Sequence, residues 1–171
     1  MMTRLLAALA LAAASSAPAA SAAAQTPAVQ PTAAQTPAAQ TVTDLGSAAP
    51  LAGSWSYAAT ADGSEATFAN ASALPQLTIH CTRATRRLII AKPATGAAPF
   101  LVVWTSSTAR SVPASFNPLT NRISIDLTAY DPLLDALAFS RGRIGVSVSG
   151  SPALVVPAWP EITRVVEDCR S

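Results

Sequence analysis

The stretch that decides the fold is PQLTIHCTR, residues 75–83. Its apolar side chains at Leu77, Ile79 and Cys81 alternate with polar ones such as His80. Alternation with a period of two is typical of a strand that has one face in the core and the other in solvent. The stretch therefore predicts a half-buried strand with Cys81 on its apolar face and His80 on its polar face.

Strand patterns continue on both sides of this stretch. The segments are GSWSYAAT (53–60), EATFANA (65–71), RRLIIAK (86–92), PFLVVWTS (99–106), ARSVPAS (109–115), NRISIDLTA (121–129), RIGVSVSG (143–150) and ALVVPAW (153–159). Continuous apolar runs in 86–92 and 99–106 predict strands covered on both faces. Pro113 predicts an edge strand, because proline donates no ladder hydrogen bond. A tight turn is expected at residues 149–152. We expect a mainly β domain, with antiparallel sheets packed as in a β-sandwich.

The period changes to that of a helix in the segment YDPLLDALAF. Asp131 is a typical N-cap and Pro132 occupies the first helical position, a strong signal for a helix start. Three leucines follow at helical spacing, and Gly142 ends the pattern. We therefore expect a short helix near residues 131–139.

A second helix is predicted at the C-terminus, in EITRVVEDC, after Pro160. Its apolar residues form one stripe, at i, i+3, i+4 and i+7. They are Ile162, Val165, Val166 and Cys169. Cys81 and Cys169 both face the core and are the only two cysteines of the chain, so we expect one disulfide between them. Two free thiols or an intermolecular bridge are the alternatives.

The N-terminus has the three-part layout of a secretory signal peptide. Arg4 precedes an apolar run at residues 5–14, and small residues offer cleavage after Ala22 or Ala24. A membrane anchor is the alternative, but a span needs about 20 apolar residues and the run is shorter. We expect residues 1–24 to be removed on export, leaving a mature chain with no transmembrane segment.

Residues 25–50 consist mainly of Ala, Pro, Gln and Thr, with a degenerate repeat of ten residues, QTPAVQPTAA and QTPAAQTVTD. Such a segment has too few large apolar side chains to form a core, so we expect a disordered linker. It is either a tether across the cell envelope or unselected low complexity. Residues 51–171 are then expected to form a single disulfide-stapled, β-rich domain.

Charge and composition exclude several classes of function. Removal of the leader takes away Arg4 and leaves 10 basic against 9 acidic residues, a net charge of +1. Nucleic-acid binding requires a clearly basic face, so no nucleic-acid partner is expected. A structural zinc site needs four Cys or His ligands, and the chain has 2 Cys and 1 His. No glycine-rich loop of the phosphate-binding pattern is present, and we expect no metal and no other cofactor.

Catalytic constellations are also missing from the sequence. There is no G-x-S-x-G and no C-x-x-C motif, which are signatures of serine-hydrolase and thiol chemistry. His80 is interpreted as a polar residue on the outer face of a sheet. Asp126, Asp131 and Asp135 fall close together, but a glycosidase pair would need an aromatic-lined cleft and Asp131 is explained as a cap. We expect no catalytic residue.

Two groups of arginines are the best surface candidates. They are Arg83, Arg86 and Arg87 at one turn and Arg141 and Arg143 at another. One interpretation is a surface for an anionic partner, such as a lipid headgroup, a glycan or a protein carboxylate. The alternative is that they are solvated turn residues, some of them paired with acids of the last helix.

The order of these features resembles that of two groups of small exported bacterial proteins. The chain has a W-x-Y strand at Trp55 and Tyr57, a middle strand ending in LTIHC, a hairpin rich in hydroxyls and arginine, and a closing helix with RVVEDC. Over residues 53–171 it resembles the invasion-associated locus B proteins and the accessory periplasmic proteins of type VI secretion. Locus B proteins have further cysteines and a glycine before the tryptophan, where this chain has Ser54. The resemblance implies an envelope protein without known catalytic residues.

We therefore expect an exported, non-enzymatic bacterial envelope protein, periplasmic or secreted. It would be a binding, accessory or structural domain, with another envelope protein as its partner. A small periplasmic hydrolase or an inhibitor-type protein with an unrecognised site is the alternative.

Overall fold

The computed structural model describes residues 47–148 and 151–171. The expected signal peptide, the linker up to residue 46 and part of the expected turn at 149–152 lie outside these residues. The elements are β1 Gly53–Ala59, β2 Gly63–Asn70, β3 Pro75–Thr82, a 3-10 turn Arg83–Thr85, β4 Arg87–Pro93, β5 Phe100–Trp104, β6 Ala109–Pro113, β7 Ser115–Asn117, β8 Arg122–Thr128, α1 Pro132–Ala138, β9 Arg143–Val148, β10 Leu154–Pro157 and α2 Pro160–Arg170.

The strands form two antiparallel sheets, as the sequence predicts. One has six strands in the order β1-β2-β3-β4-β8-β7, and the other has four in the order β10-β9-β5-β6. The strand β6, which contains Pro113, is at the edge of the smaller sheet. The fold is therefore mainly β with two short helices, and this expectation is confirmed.

Both sheets and both helices contribute to one core. In β3 the predicted inward residues Leu77, Ile79 and Cys81 are buried, whereas His80 is half-buried on the other face. Ile79 lies opposite Ile90 of β4 in the ladder. Helix α2 packs against β2, β3 and α1, so the helices join the smaller sheet in covering the inner face of the larger one.

The smaller sheet carries a second apolar cluster, made of Trp104, Val155 and Ala48. The Leu51 amide donates a hydrogen bond of 2.8 Å to the Val155 carbonyl, so the segment before β1 packs along β10. The packed part of the chain therefore begins before residue 51, where the sequence predicts its start. This cover explains the continuous apolar run of β5. The strand β4 was expected to be covered on both faces as well, but the outward side chain of Ile89 is only half-buried.

Helix α1 begins as the sequence predicts. The Asp131 carboxylate accepts a hydrogen bond of 2.8 Å from the Leu133 amide, which satisfies a backbone donor of the first turn. The helix ends at Ala138, and Gly142 lies beyond it at a φ of +81°. Such a left-handed conformation strongly favours glycine. Gly142 therefore shapes the loop into β9 rather than the helix end itself.

Candidate functional site

Helix α2 is held firmly at its C-terminal end. Cys169 forms a disulfide with Cys81 of β3 across 88 residues of sequence, with their Cα atoms 5.6 Å apart. The next residue, Arg170, pairs its Nη2 with Asp135 Oδ1 at 2.8 Å and donates from Nε to the Ala129 carbonyl at 2.9 Å. The expected disulfide is thus confirmed, and further contacts tie the last helical turn to α1 and to the end of β8.

A polar cluster beside the disulfide holds the same helix against β1. The Tyr57 hydroxyl donates a hydrogen bond of 2.6 Å to Asp168 Oδ2. The Arg164 guanidinium carbon lies 3.9 Å from the centre of the Tyr57 ring, a cation–π geometry. The Tyr57 hydroxyl lowers the pKa of the Asp168 carboxyl, and the charges of Arg164 and Arg83 lower it further.

The N-terminal end of α2, by contrast, lines an open groove against α1. The groove has a volume of about 460 Å³, within the usual range for a ligand pocket. Its lining residues are Leu137, Ala138, Ser140, Ala158, Trp159, Pro160, Thr163 and Arg164. Of the lining residues, Trp159 is 41 % exposed. Phe139, which stands in sequence between the lining residues Ala138 and Ser140, is 74 % exposed. The lining is mostly apolar, so the groove can accept an apolar side chain.

The first arginine group lies at the turn between β3 and β4. Arg87 is committed to an ion pair of 2.9 Å with Asp126, which raises the pKa of the Arg87 guanidinium. Arg86 adopts a left-handed φ of 50° and donates from Nη1 to the Tyr130 hydroxyl at 3.1 Å. Arg83 is exposed, and its positive charge lowers the pKa of the Asp168 carboxyl. The turn is therefore partly neutralised by its own contacts.

The second arginine group lies where the loop after α1 leads into β9. Arg143 Nη1 donates to the Ala48 carbonyl, so it holds the segment before β1. Arg141 is exposed and directly follows Ser140 of the groove lining. Its backbone amide donates to Ser106 Oγ at 3.1 Å. Among the described residues its guanidinium has no hydrogen bond or ion pair, so Arg141 is the cation of this group that remains available to a partner.

Each aspartate of the acidic group has an arginine partner. Asp126 pairs with Arg87 and Asp135 with Arg170. Asp131 Oδ1 lies 2.8 Å from Arg110 Nη1; burial raises the pKa of Asp131, but the hydrogen bonds from Arg110 and the Leu133 amide lower it more. These carboxylates hold elements together, and Asp131 is also the N-cap that the sequence predicts.

His80 lies on the outer face of the larger sheet, as expected. Its Nε2 is 3.1 Å from Asp62 Oδ2 and its Nδ1 is 3.5 Å from Glu65 Oε2. Hydrogen bonds from Thr60 and then from His80 lower the pKa of Asp62. Both ring nitrogens therefore face carboxylates rather than a serine or cysteine nucleophile.

Metal binding and membrane crossing also bear on the site. Within residues 47–148 and 151–171 no group of three or more His, Cys, Asp or Glu side chains is arranged to hold a metal ion. In the same residues no helix has the length and apolar character that a membrane crossing requires.

The geometry thus defines a β domain of two sheets and two helices, stapled by one disulfide, with a groove between the helices. Comparisons with protein-family models, curated proteins and solved structures found no match. The resemblance to locus B and type VI accessory proteins therefore stays a prediction.

The groove is the feature that sequence reasoning missed. Trp159 and Thr163 lie one helical turn apart, on the side of α2 next to its buried stripe, and this spacing was available in the sequence. The sequence does not indicate the other side of the groove, because Leu137 and Ser140 reach it only when α1 packs against α2.

Proposed function

We propose that this is an exported, non-enzymatic protein of the bacterial envelope that binds another envelope protein through the groove between α1 and α2. The observation that carries the proposal is the groove itself, an apolar cleft lined in part by the exposed Trp159. The exposed Phe139 and Arg141 are the sequence neighbours of Ser140, which also lines the groove. Exposed aromatic and arginine side chains are enriched in protein interfaces and among their strongest contributors.

The chemistry of the groove indicates the kind of segment it binds. An apolar side chain of the partner would fill the cleft beside Trp159, and an adjacent carboxylate would reach Arg141. Arginine pairs with carboxylates through two parallel hydrogen bonds. The occupant is therefore a polypeptide segment that carries an apolar residue next to Asp or Glu.

Location in an oxidising compartment is supported by the disulfide, because such bridges persist outside the reducing cytosol. The signal-peptide pattern of residues 1–24 adds support for export. Periplasmic or secreted residence is part of the proposal.

The proposal is tested by site-specific cross-linking in the exporting bacterium. A photoreactive amino acid replaces Phe139 at the groove, and in a matched control it replaces Leu119, which is 91 % exposed in the turn between β7 and β8. We expect one envelope protein to cross-link reproducibly at position 139 and not at 119. No cross-linked protein at 139, or equal capture at both positions, would contradict the proposal.

The hydrolase alternative is tested separately, with the purified domain and a panel of ester, amide and glycoside substrates. Hydrolysis that is lost in His80→Ala would overturn the non-enzymatic proposal. No specific observation favours that outcome, because the contacts of His80 are with Asp62 and Glu65.

A further inference from the structure

The single lysine of the chain, Lys92, lies on the inward face of β4. It follows Leu88 and Ile90 at intervals of two, the positions that this strand gives to the core, and only 8 % of its surface is exposed. Lysine is almost never this deeply buried without a partner, because an ammonium loses its hydration there. Its position therefore requires an explanation.

The described residues satisfy only part of the hydrogen-bonding capacity of the Lys92 ammonium. Among them it donates one hydrogen bond, to the carbonyl of the adjacent Pro93 at 3.2 Å, although an ammonium has three donors. No ion pair among the described residues includes Lys92. Burial lowers its pKa. Within residues 47–148 and 151–171, the positive charge of Lys92 thus has no counter-charge.

The surroundings of Lys92 form a pocket of about 220 Å³. The other lining residues are Gln76, Pro93, Pro152, Ala153 and Leu154. Because a water molecule occupies about 30 Å³ in the liquid, the pocket holds roughly seven of them. It is large enough for a small organic acid or for one chain end.

We propose that this pocket binds a small carboxylate, with the Lys92 ammonium as its counter-charge. A monoanion matches the single positive charge of the pocket, whereas a doubly charged oxyanion would leave net negative charge buried. Gln76 uses one N–H of its side chain on the Leu74 carbonyl, and its second N–H is a further donor at the pocket wall. The carboxylate belongs either to a free small acid or to the C-terminus of a polypeptide.

This site is separate from the groove. The pocket is formed by β3, β4 and the chain leading into β10, whereas the groove is formed by α1 and α2. The proposal therefore does not rest on the proposed function, and either can fail without the other.

A single lysine makes the test direct. In full-length mature protein labelled with ¹³C-lysine, the side chain of Lys92 gives one Cε resonance. We expect sodium acetate to shift this resonance saturably at millimolar concentrations, while acetamide, which has the same shape and no charge, leaves it unchanged. An equal response to both compounds, or a linear response to acetate that matches sodium chloride, would overturn the proposal.

Thermal unfolding provides the comparison between variants. Acetate should raise the melting temperature of the wild type. Lys92→Met should need at least ten times more acetate for the same rise. Arg83→Gln removes the same charge from an exposed site at the turn between β3 and β4 and should respond like the wild type. An unchanged acetate response in Lys92→Met would contradict the proposal, and the resonance measurement on the wild type remains decisive if that variant does not fold.

Two ligand series distinguish the sources of the carboxylate. Formate, acetate and propionate represent free acids, and a tripeptide with either a free or an amidated C-terminus represents a chain end. Tenfold tighter binding of the free tripeptide than of acetate assigns the pocket to a polypeptide terminus. Binding of the small acids alone assigns it to free carboxylates, and binding of neither overturns the proposal.

Discussion

The two ends of α2 are built in opposite ways. At its C-terminal end, Cys169 is bonded to β3 and Arg170 is paired with Asp135. At its N-terminal end, Trp159 is 41 % exposed above a groove and its side chain caps no backbone group. A helix of this length is marginal by itself, so the fixed end has to position the open one. The difference teaches that the disulfide and its neighbours hold the groove in shape while leaving its surface free.

The largest expected effect comes from removing the constraint at the fixed end. Replacing both Cys81 and Cys169 with alanine should lower the free energy of unfolding by about 4.5 kcal/mol, because the bridge closes a loop of 88 residues in the unfolded chain. Urea unfolding measures this loss. Reduced wild-type protein should unfold at the same urea concentration as the double variant, and a loss below about 1 kcal/mol would show that α2 is held mainly by its other contacts.

At the open end, Trp159→Ala should weaken binding of the cross-linked partner at least tenfold, because tryptophan anchors of this kind contribute about 2 kcal/mol or more. Calorimetry with the purified partner measures the dissociation constant. Leu119→Ala removes an exposed apolar side chain away from the groove and should bind normally. If both variants bind the partner with the affinity of the wild type, the groove is not the binding site.

Beside the disulfide, Tyr57→Phe should lower the free energy of unfolding by about 1 kcal/mol at neutral pH, because the hydrogen bond to Asp168 is lost. The pKa of Asp168 is lower in the folded than in the unfolded protein. Its stabilising effect is therefore present above the unfolded pKa of about 4 and is lost as the pH falls through the folded value.

The pH dependence separates this ionic effect from loss of packing. The difference between Tyr57→Phe and the wild type, measured by urea unfolding from pH 7 to pH 2.5, should shrink in acid. A difference that stays constant over this range would mean that the hydroxyl stabilises the fold without acting on the Asp168 carboxylate.

The smallest effect is expected from Arg141→Gln. Its guanidinium has no hydrogen bond or ion pair among the described residues, so stability should not change, whereas association with a partner carboxylate should slow a few-fold at low salt. Stopped-flow or surface binding at two salt concentrations measures this rate. Arg83→Gln removes an exposed charge at the turn between β3 and β4 and should leave the rate unchanged. A slower rate in Arg83→Gln alone would move the anionic surface to the first arginine group.

Much of the fold could be predicted because local rules decided it. The period of two around Ile79 and the stripe that ends at Cys169 each place a side chain in the core from spacing alone. The N-cap at Asp131 was equally predictable, because it depends only on its side chain and a backbone amide two residues away. The disulfide was the expected arrangement of two inward-facing cysteines, and the structure decides it against free thiols or an intermolecular bridge.

The candidate sites were less predictable, because each needs residues that are distant in sequence. Arg86 and Arg87 read as a cationic turn, but the ladder places Asp126 and Tyr130 beside them. The charge of Lys92 alone gives no sign of burial, but the register that it shares with Leu88 and Ile90 directs it inward. The packed segment at Ala48 reads as linker, because its contacts with Trp104 arise only from the smaller sheet.

The sequence by itself therefore determined the secondary structure, the inward faces and the pair of cysteines, since periodicity and capping act over a few neighbouring residues. Only the tertiary structure decided which charges remain open. Ion pairs form between elements that the sheets and helices bring together. Among the described residues they include neither Arg141 nor Lys92, the lysine that lines the smaller pocket.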